Sequence, residues 1–195
     1  MPLILGTLAS AAKNFLWAPA GAYDFIATGT VGSNAVTFTS IPATYTHLQI
    51  RGTVRAGNHP YNTDDAILMR VGATSVDTGA NYSQHFLYGD GASVAAGGSA
   101  NSSYMQVADM PAASTTANTF GAFIVDILDY ANTNKYKTTR SLSGFDTNTT
   151  LGYTWLFSGN WRNTAAIDTI SLAIVGFGDA ATIGTNSRVD LYGIK

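Results

Sequence analysis

The chain has 195 residues, a formal net charge of −2 and no cysteine. That length suits one large domain that can bury a core without covalent staples. The missing cysteine removes disulfides, thiolate zinc sites and cysteine nucleophiles, and the near-neutral charge leaves no global basic field to attract nucleic acid. Charged residues are only 11% of the chain, against about 25% in ordinary soluble domains. Twelve Asp, four Lys and six Arg stand beside twenty Gly, with no Glu. Glu and Lys fill helix surfaces, whereas Thr, Val, Tyr and Phe favour strands, so a surface of Thr, Ser, Asn and Gly points to sheet and loop. Few charges also mean weak colloidal repulsion, which suits a protein held inside an assembly.

The opening, MPLILGTLASAAKNFLWAPAG, is apolar from Pro2 to Ala12. A secretory signal carries positive charge before its apolar run, whereas Lys13 follows this one, and the run is too short to span a bilayer. Leu3, Ile4 and Leu5 are consecutive, Gly6 interrupts, and Pro19 stops a helix starting near Ala9, so no strand or helix period lasts. We therefore read residues 1–21 as an arm and residues 22–195 as one folded domain. Soluble monomers avoid exposing such an apolar patch. Leu3, Ile4, Leu5, Leu8, Phe15, Leu16 and Trp17 are thus the expected partner-binding anchors, with no membrane contact.

From Ala22 onward the period is two. In YTHLQIRGTVRA, Leu48, Ile50 and Val54 face one way and His47, Gln49, Arg51, Thr53 and Arg55 the other, the pattern of a strand with one wet face. DAILMRV repeats it. FGAFIVDILDY (120–130) and DTISLAIVGF (168–177) are apolar on both faces, as strands covered on both sides are. Turn signals separate these runs near residues 30, 60 and 182 and from 89 to 103. FIVDILDY, ANTNK and YKTTRSLSGF read as strand, turn and strand, with the lysines and Arg140 on a wet face or guarding an edge. Strands at roughly regular spacing with Gly-rich turns predict an all-β domain, an antiparallel sandwich or barrel.

No motif for chemistry emerges. His47, His59 and His85 lack the spacing of a helical zinc pair, and no GxSxG elbow occurs. Asp126 and Asp129, three apart in a predicted strand, face opposite sides and form no catalytic pair. Asp64 and Asp65 read as a turn. The Gly-rich segment 89–103 lacks the ending of a phosphate loop, and DTNTT (146–150) lacks the Gly and Glu of a calcium loop. No catalytic, cofactor or metal residue is therefore assigned. Tyr82, Phe86, Tyr88, Tyr104, Tyr153, Trp155, Phe157 and Trp161 would make a sugar platform if gathered, but they are spread over several predicted strands, which favours packing.

Several blocks carry a resemblance: FTSIPATYTHLQIRG (38–52), DTGANYSQHFLYGDG (77–91), TANTFGAFIVDILDYANTNKYKTTRSLSG (116–144), FSGNWRNTAAIDTISL (157–172) and SRVDLYGIK (187–195). In these the chain resembles a widespread group of small structural proteins of tailed bacteriophages. The resemblance implies a jelly-roll β-sandwich on the virion exterior, a homo-oligomer (a trimer), and partners among the capsid-shell or tail proteins. Two roles follow from it: a capsid decoration protein cementing shell subunits, or a tail-fibre or baseplate module gripping a host glycan. It carries over no catalytic residue. Deleting residues 2–18 is expected to leave the sandwich folded and to abolish attachment to particles. Wild-type occupancy of the truncated protein on purified particles, or its failure to fold, would overturn the arm's role.

Overall fold

The computed structural model describes residues 21–59, 63–174 and 181–195; the arm anchors lie outside them. Among the described residues there are twelve strands and no helix. They are β1 (Tyr23–Thr28), β2 (Ala35–Phe38), β3 (His47–Val54), β4 (Asp64–Gly72), β5 (Tyr82–Gly89), β6 (Val94–Ser102), β7 (Met105–Pro111), β8 (Gly121–Leu128), β9 (Lys137–Asp146), β10 (Gly152–Trp161), β11 (Thr169–Ile174) and β12 (Arg188–Ile194). They form an eight-stranded sheet, β1-β12-β3-β8-β9-β10-β5-β6, and a four-stranded sheet, β2-β11-β4-β7. Every pairing is antiparallel.

Setting aside two hairpins leaves the eight strands of a jelly roll. The order β1-β12-β3-β8 faces β2-β11-β4-β7, with successive strands crossing between sheets at every step except from β4 to β7. The hairpins β5–β6 and β9–β10 both extend the larger sheet beyond β8. The core lies between the sheets. Leu48, Ile50 and Val54 of β3 and Val125 and Ile127 of β8 meet Ile67, Met69 and Val71 of β4 and Ile170, Leu172 and Ile174 of β11, all fully buried or nearly so. Burial at about 25 cal/mol per Å² of apolar surface is what holds the two layers together.

The extended sheet bends its inner face against the edge of β7. Gln84 of β5 accepts a hydrogen bond from the Gln106 amide, and Ser143 Oγ of β9 accepts one from the Asp109 amide at 3.3 Å. An edge strand's unpaired amides are thereby satisfied from the opposite sheet. Close approach needs small residues there. Thr139, Ser141 and Ser143 are buried, and a Cβ on Gly159 would stand 2.6 Å from Thr139 Oγ1 and 2.8 Å from Met105 Sδ.

Four sequence expectations are corrected. The Gly-rich stretch 89–103 is largely strand β6, paired to β5, with a tight turn closed by Asp90 and by Gly91 at φ 88°. Asp64 and Asp65 lie in β4 rather than in a turn, and Asp65 points inward, held by His59 at 2.7 Å. Strand β8 ends at Leu128, so Asp129 leaves it at a left-handed φ of 48°. Lys137 is on the inner face, fully buried, where its ammonium donates to the carbonyls of Asn132, Lys135 and Thr164. The carbonyls replace the water that a buried ammonium loses. Gly159→Ala is expected to lower stability by about 1–3 kcal/mol through overpacking against Met105, read as a lower urea midpoint with an unchanged slope. An unchanged midpoint would show that β7 yields at no cost.

Candidate functional site

The aromatic residues come together more than their sequence spacing suggests. The β5–β10 register sets Tyr88 opposite Trp155 and Phe86 opposite Phe157. With Tyr153 and Phe145 they form a ladder on the inner face, beyond the edge of β7. Trp155 stacks on Tyr88 at 4.1 Å and on Phe157 at 5.3 Å. The flat ring contacts of Trp155 are thus made within the ladder, which is the geometry of packing rather than of a sugar platform. Tyr82 and Trp161 belong to the core, anchoring the 77–81 loop through Asp77, and Tyr104 sits in the turn between β6 and β7. Burial first, then the charges of Asp64 and Asp90, hold the Tyr153 hydroxyl above the usual tyrosine value.

The histidines do separate structural jobs. His47 Nδ1 accepts from the Asp129 amide at 2.9 Å, His59 meets Asp65, and His85 is exposed on β5. Among the described residues no three His or carboxylate side chains gather as a metal-binding group. DTNTT forms the β9–β10 turn, closed by Thr147 bonding to Leu151. Arg55, read as a wet-face residue, reaches into the β7–β8 loop. Its guanidinium donates to the carbonyls of Ala113, Thr115, Thr116 and Thr119.

The outer face of the eight-stranded sheet carries a feature that the sequence pattern concealed. Cross-strand register aligns Ile124 with Leu142, Leu142 with Leu156, Leu156 with Leu87, and Leu87 with Ala96. Leu142, Leu156 and Leu87 are 47%, 51% and 48% exposed. In β9 the usual pattern is inverted: Ser141 and Ser143 are buried against β7 while Leu142 faces out. Nothing local distinguishes SLS from a strand with its leucine inside. Only the demand for small residues under β7 reverses it.

Beside this apolar row runs a row of low relief, Thr53, Ala122, Gly144, Thr154 and Gly89. The step between them opens a groove of about 650 Å³ across the strands, lined mainly by apolar surface, with Ile124 and Leu142 as its wall. Arg51, Arg188, Asp190 and Tyr192 close one end. Asp126, on the other flank of the apolar row, is tied to Arg140 at 2.9 Å and Gln49 at 2.7 Å. It lies on the outer face of this sheet, largely covered by those partners, while Asp129 pairs with Lys135 in the turn.

One carboxyl is unusual. Asp109 of β7 is buried, and burial, with smaller contributions from the neighbouring charges of Asp64 and Asp65, pushes it up to about 8 despite a hydrogen bond from Gln106. Its carboxylate oxygen accepts from the Gln106 side-chain amide of the same strand at 2.8 Å.

No protein-family model and no curated protein matches this chain.

The Asp109 carboxyl sets a pH dependence. An unfolded Asp titrates near ~4, so between about pH 4 and pH 8 the unfolded chain releases a proton that the folded chain keeps, and stability falls as pH rises through that window. Asp109→Asn, which retains the acceptor for Gln106, is expected to gain urea midpoint over the wild type progressively from pH 4 to pH 8. A constant gap between the two proteins across that range would refute the buried, protonated state.

Proposed function

We propose that this protein is a structural component of a bacteriophage virion, most simply a capsid decoration protein, that acts by binding other subunits and not by catalysis. The observation carrying this reading is the row of half-exposed leucines, Leu142, Leu156 and Leu87, laid in register across the outer face. A contiguous row of half-exposed leucines on one sheet face marks a surface that another protein covers. The scarcity of charge and the apolar arm support the same role, as does the resemblance of the sequence blocks to phage structural proteins. In this reading the arm anchors Leu3, Ile4, Leu5, Leu8, Phe15, Leu16 and Trp17 add a second contact. A homo-oligomer, trimeric by the resemblance, presents both to the particle. The tail-fibre alternative, with a glycan bound by the aromatics, gains little support, because Trp155 makes its stacking contacts within its own ladder.

The double substitution Leu142→Asp with Leu156→Asp removes the centre of the row without touching the core. It is expected to leave the fold intact at a somewhat lower urea midpoint, because the two carboxylates then stand opposite each other. Binding to purified particles should weaken about tenfold or more, as the loss of two buried leucine contacts implies. Gel densitometry of wild-type particles should give this protein in stoichiometric ratio to the shell subunit. Undiminished attachment of the double variant, or a copy number confined to the tail, would reject the decoration role.

A further inference from the structure

We propose that the Arg51 end of the outer-face groove is a receptor for a carboxylate, carried by an apolar peptide segment of a neighbouring subunit. The proposal deepens the docking reading above and rests on it. Its ground is the state of Arg51. The Nε of Arg51 donates to Gln49 Oε1 at 2.6 Å, and the Gln49 amide donates in turn to Asp126 Oδ1 at 2.7 Å. The second Asp126 oxygen accepts from Arg140 Nε at 2.9 Å. Gln49 is buried, so the middle of this relay is shielded from solvent. The rings of Tyr23 and Tyr192 lie 4.7 and 4.9 Å from the guanidinium carbon. The group is thus oriented by one hydrogen bond and two aromatic contacts before any ligand arrives, which lowers the ordering cost of binding.

Its charge is unmatched. No carboxylate among the described residues lies within ion-pair distance of Arg51, whereas Arg140, Arg188, Lys135 and Lys195 each hold an Asp. Asp190 shares the groove end, but its oxygens are taken by Thr28 Oγ1 at 2.6 Å and Arg188 Nε at 2.7 Å. Two guanidinium groups and one carboxylate leave the groove end positive. With Nε engaged, the terminal nitrogens of Arg51 present the paired donors that a carboxylate accepts.

The occupant's remaining chemistry follows from the rest of the groove. Arg51 is itself in register with Ile124, so the apolar row begins at the guanidinium. From β3 to β6 the row crosses five strand spacings, about 24 Å, the span of about seven extended residues. The polar side chains along the floor are the hydroxyls of Thr53 and Thr154, too few for the many hydroxyls of a sugar. An exposed ion pair alone contributes little. The apolar body therefore supplies affinity, and the carboxylate fixes which end of the segment meets Arg51.

The test uses the full chain and three probes, followed through the methyl resonances of Ile124 and Leu142. The probes are a blocked peptide of about seven residues alternating leucine and serine and ending in aspartate, the same peptide ending in asparagine, and N-acetylneuraminic acid. The aspartate peptide should shift these methyls and bind about two- to fivefold more tightly than its asparagine twin. Arg51→Gln, checked for an unchanged unfolding midpoint, should bind the two peptides alike. Equal binding of both peptides by the wild type overturns the proposal, as does a response to the sugar acid without a response to the peptide. Silence of both peptides at about 10 mM, a Kd above the millimolar range, also overturns it. Particle attachment of the leucine variants is scored separately. If they detach while the aspartate preference is absent, the docking face stands and the carboxylate receptor falls.

Discussion

A four-stranded sheet cannot cover an eight-stranded one, and most of this structure answers that mismatch. The jelly-roll half of the larger sheet is packed in the ordinary way, apolar face on apolar face. The added strands β9, β10, β5 and β6 project past the smaller sheet and need their inner face protected from water. Two devices supply this. The edge of β7 lies on β9 and β10, its amides met by Gln84 and Ser143. Beyond that edge, Phe86, Tyr88, Trp155 and Phe157 cover one another. Aromatic rings suit the second task because a few large side chains shield much surface at low entropic cost.

The first device has consequences on the opposite face. A strand that must offer Ser and Gly to β7 on one side has only its other side for large residues. Leucines at positions 142 and 156 are thereby displaced outward, and antiparallel register collects them with Leu87 into one row. The same register places Gly144 next to Ala122 and Thr154, and the low relief of that row makes the groove. The outer apolar row and the inner packing constraint are two sides of the same strands.

Charge is used sparingly, and part of it is turned inward. With ten basic residues in the chain, Lys137 and Arg55 are committed to backbone carbonyls, one beneath the turn after β8 and the other inside the β7–β8 loop. Such cations act as internal scaffolds for loops that lack regular pairing. A surface so depleted makes each remaining charge more specific. Arg51, steadied by Tyr23 and Tyr192, stands where an apolar row ends.

The sequence by itself determined the all-β class, the alternation of β3 and β4 and the hairpin around residues 129–136, because a period of two and turn residues are local properties. It also determined the low charge and the lack of any local catalytic motif. Tertiary structure alone decided which sheet each strand joined, that GDGASVAAGGSANS makes an edge strand, and that Lys137 turns inward while Leu142 turns out. Polarity in the sequence assigns serine to water and leucine to the core, and in β9 both assignments reverse. The reason is steric and non-local. The approach of β7, from a different part of the chain, leaves room only for small side chains, and the two faces of a strand cannot be chosen independently.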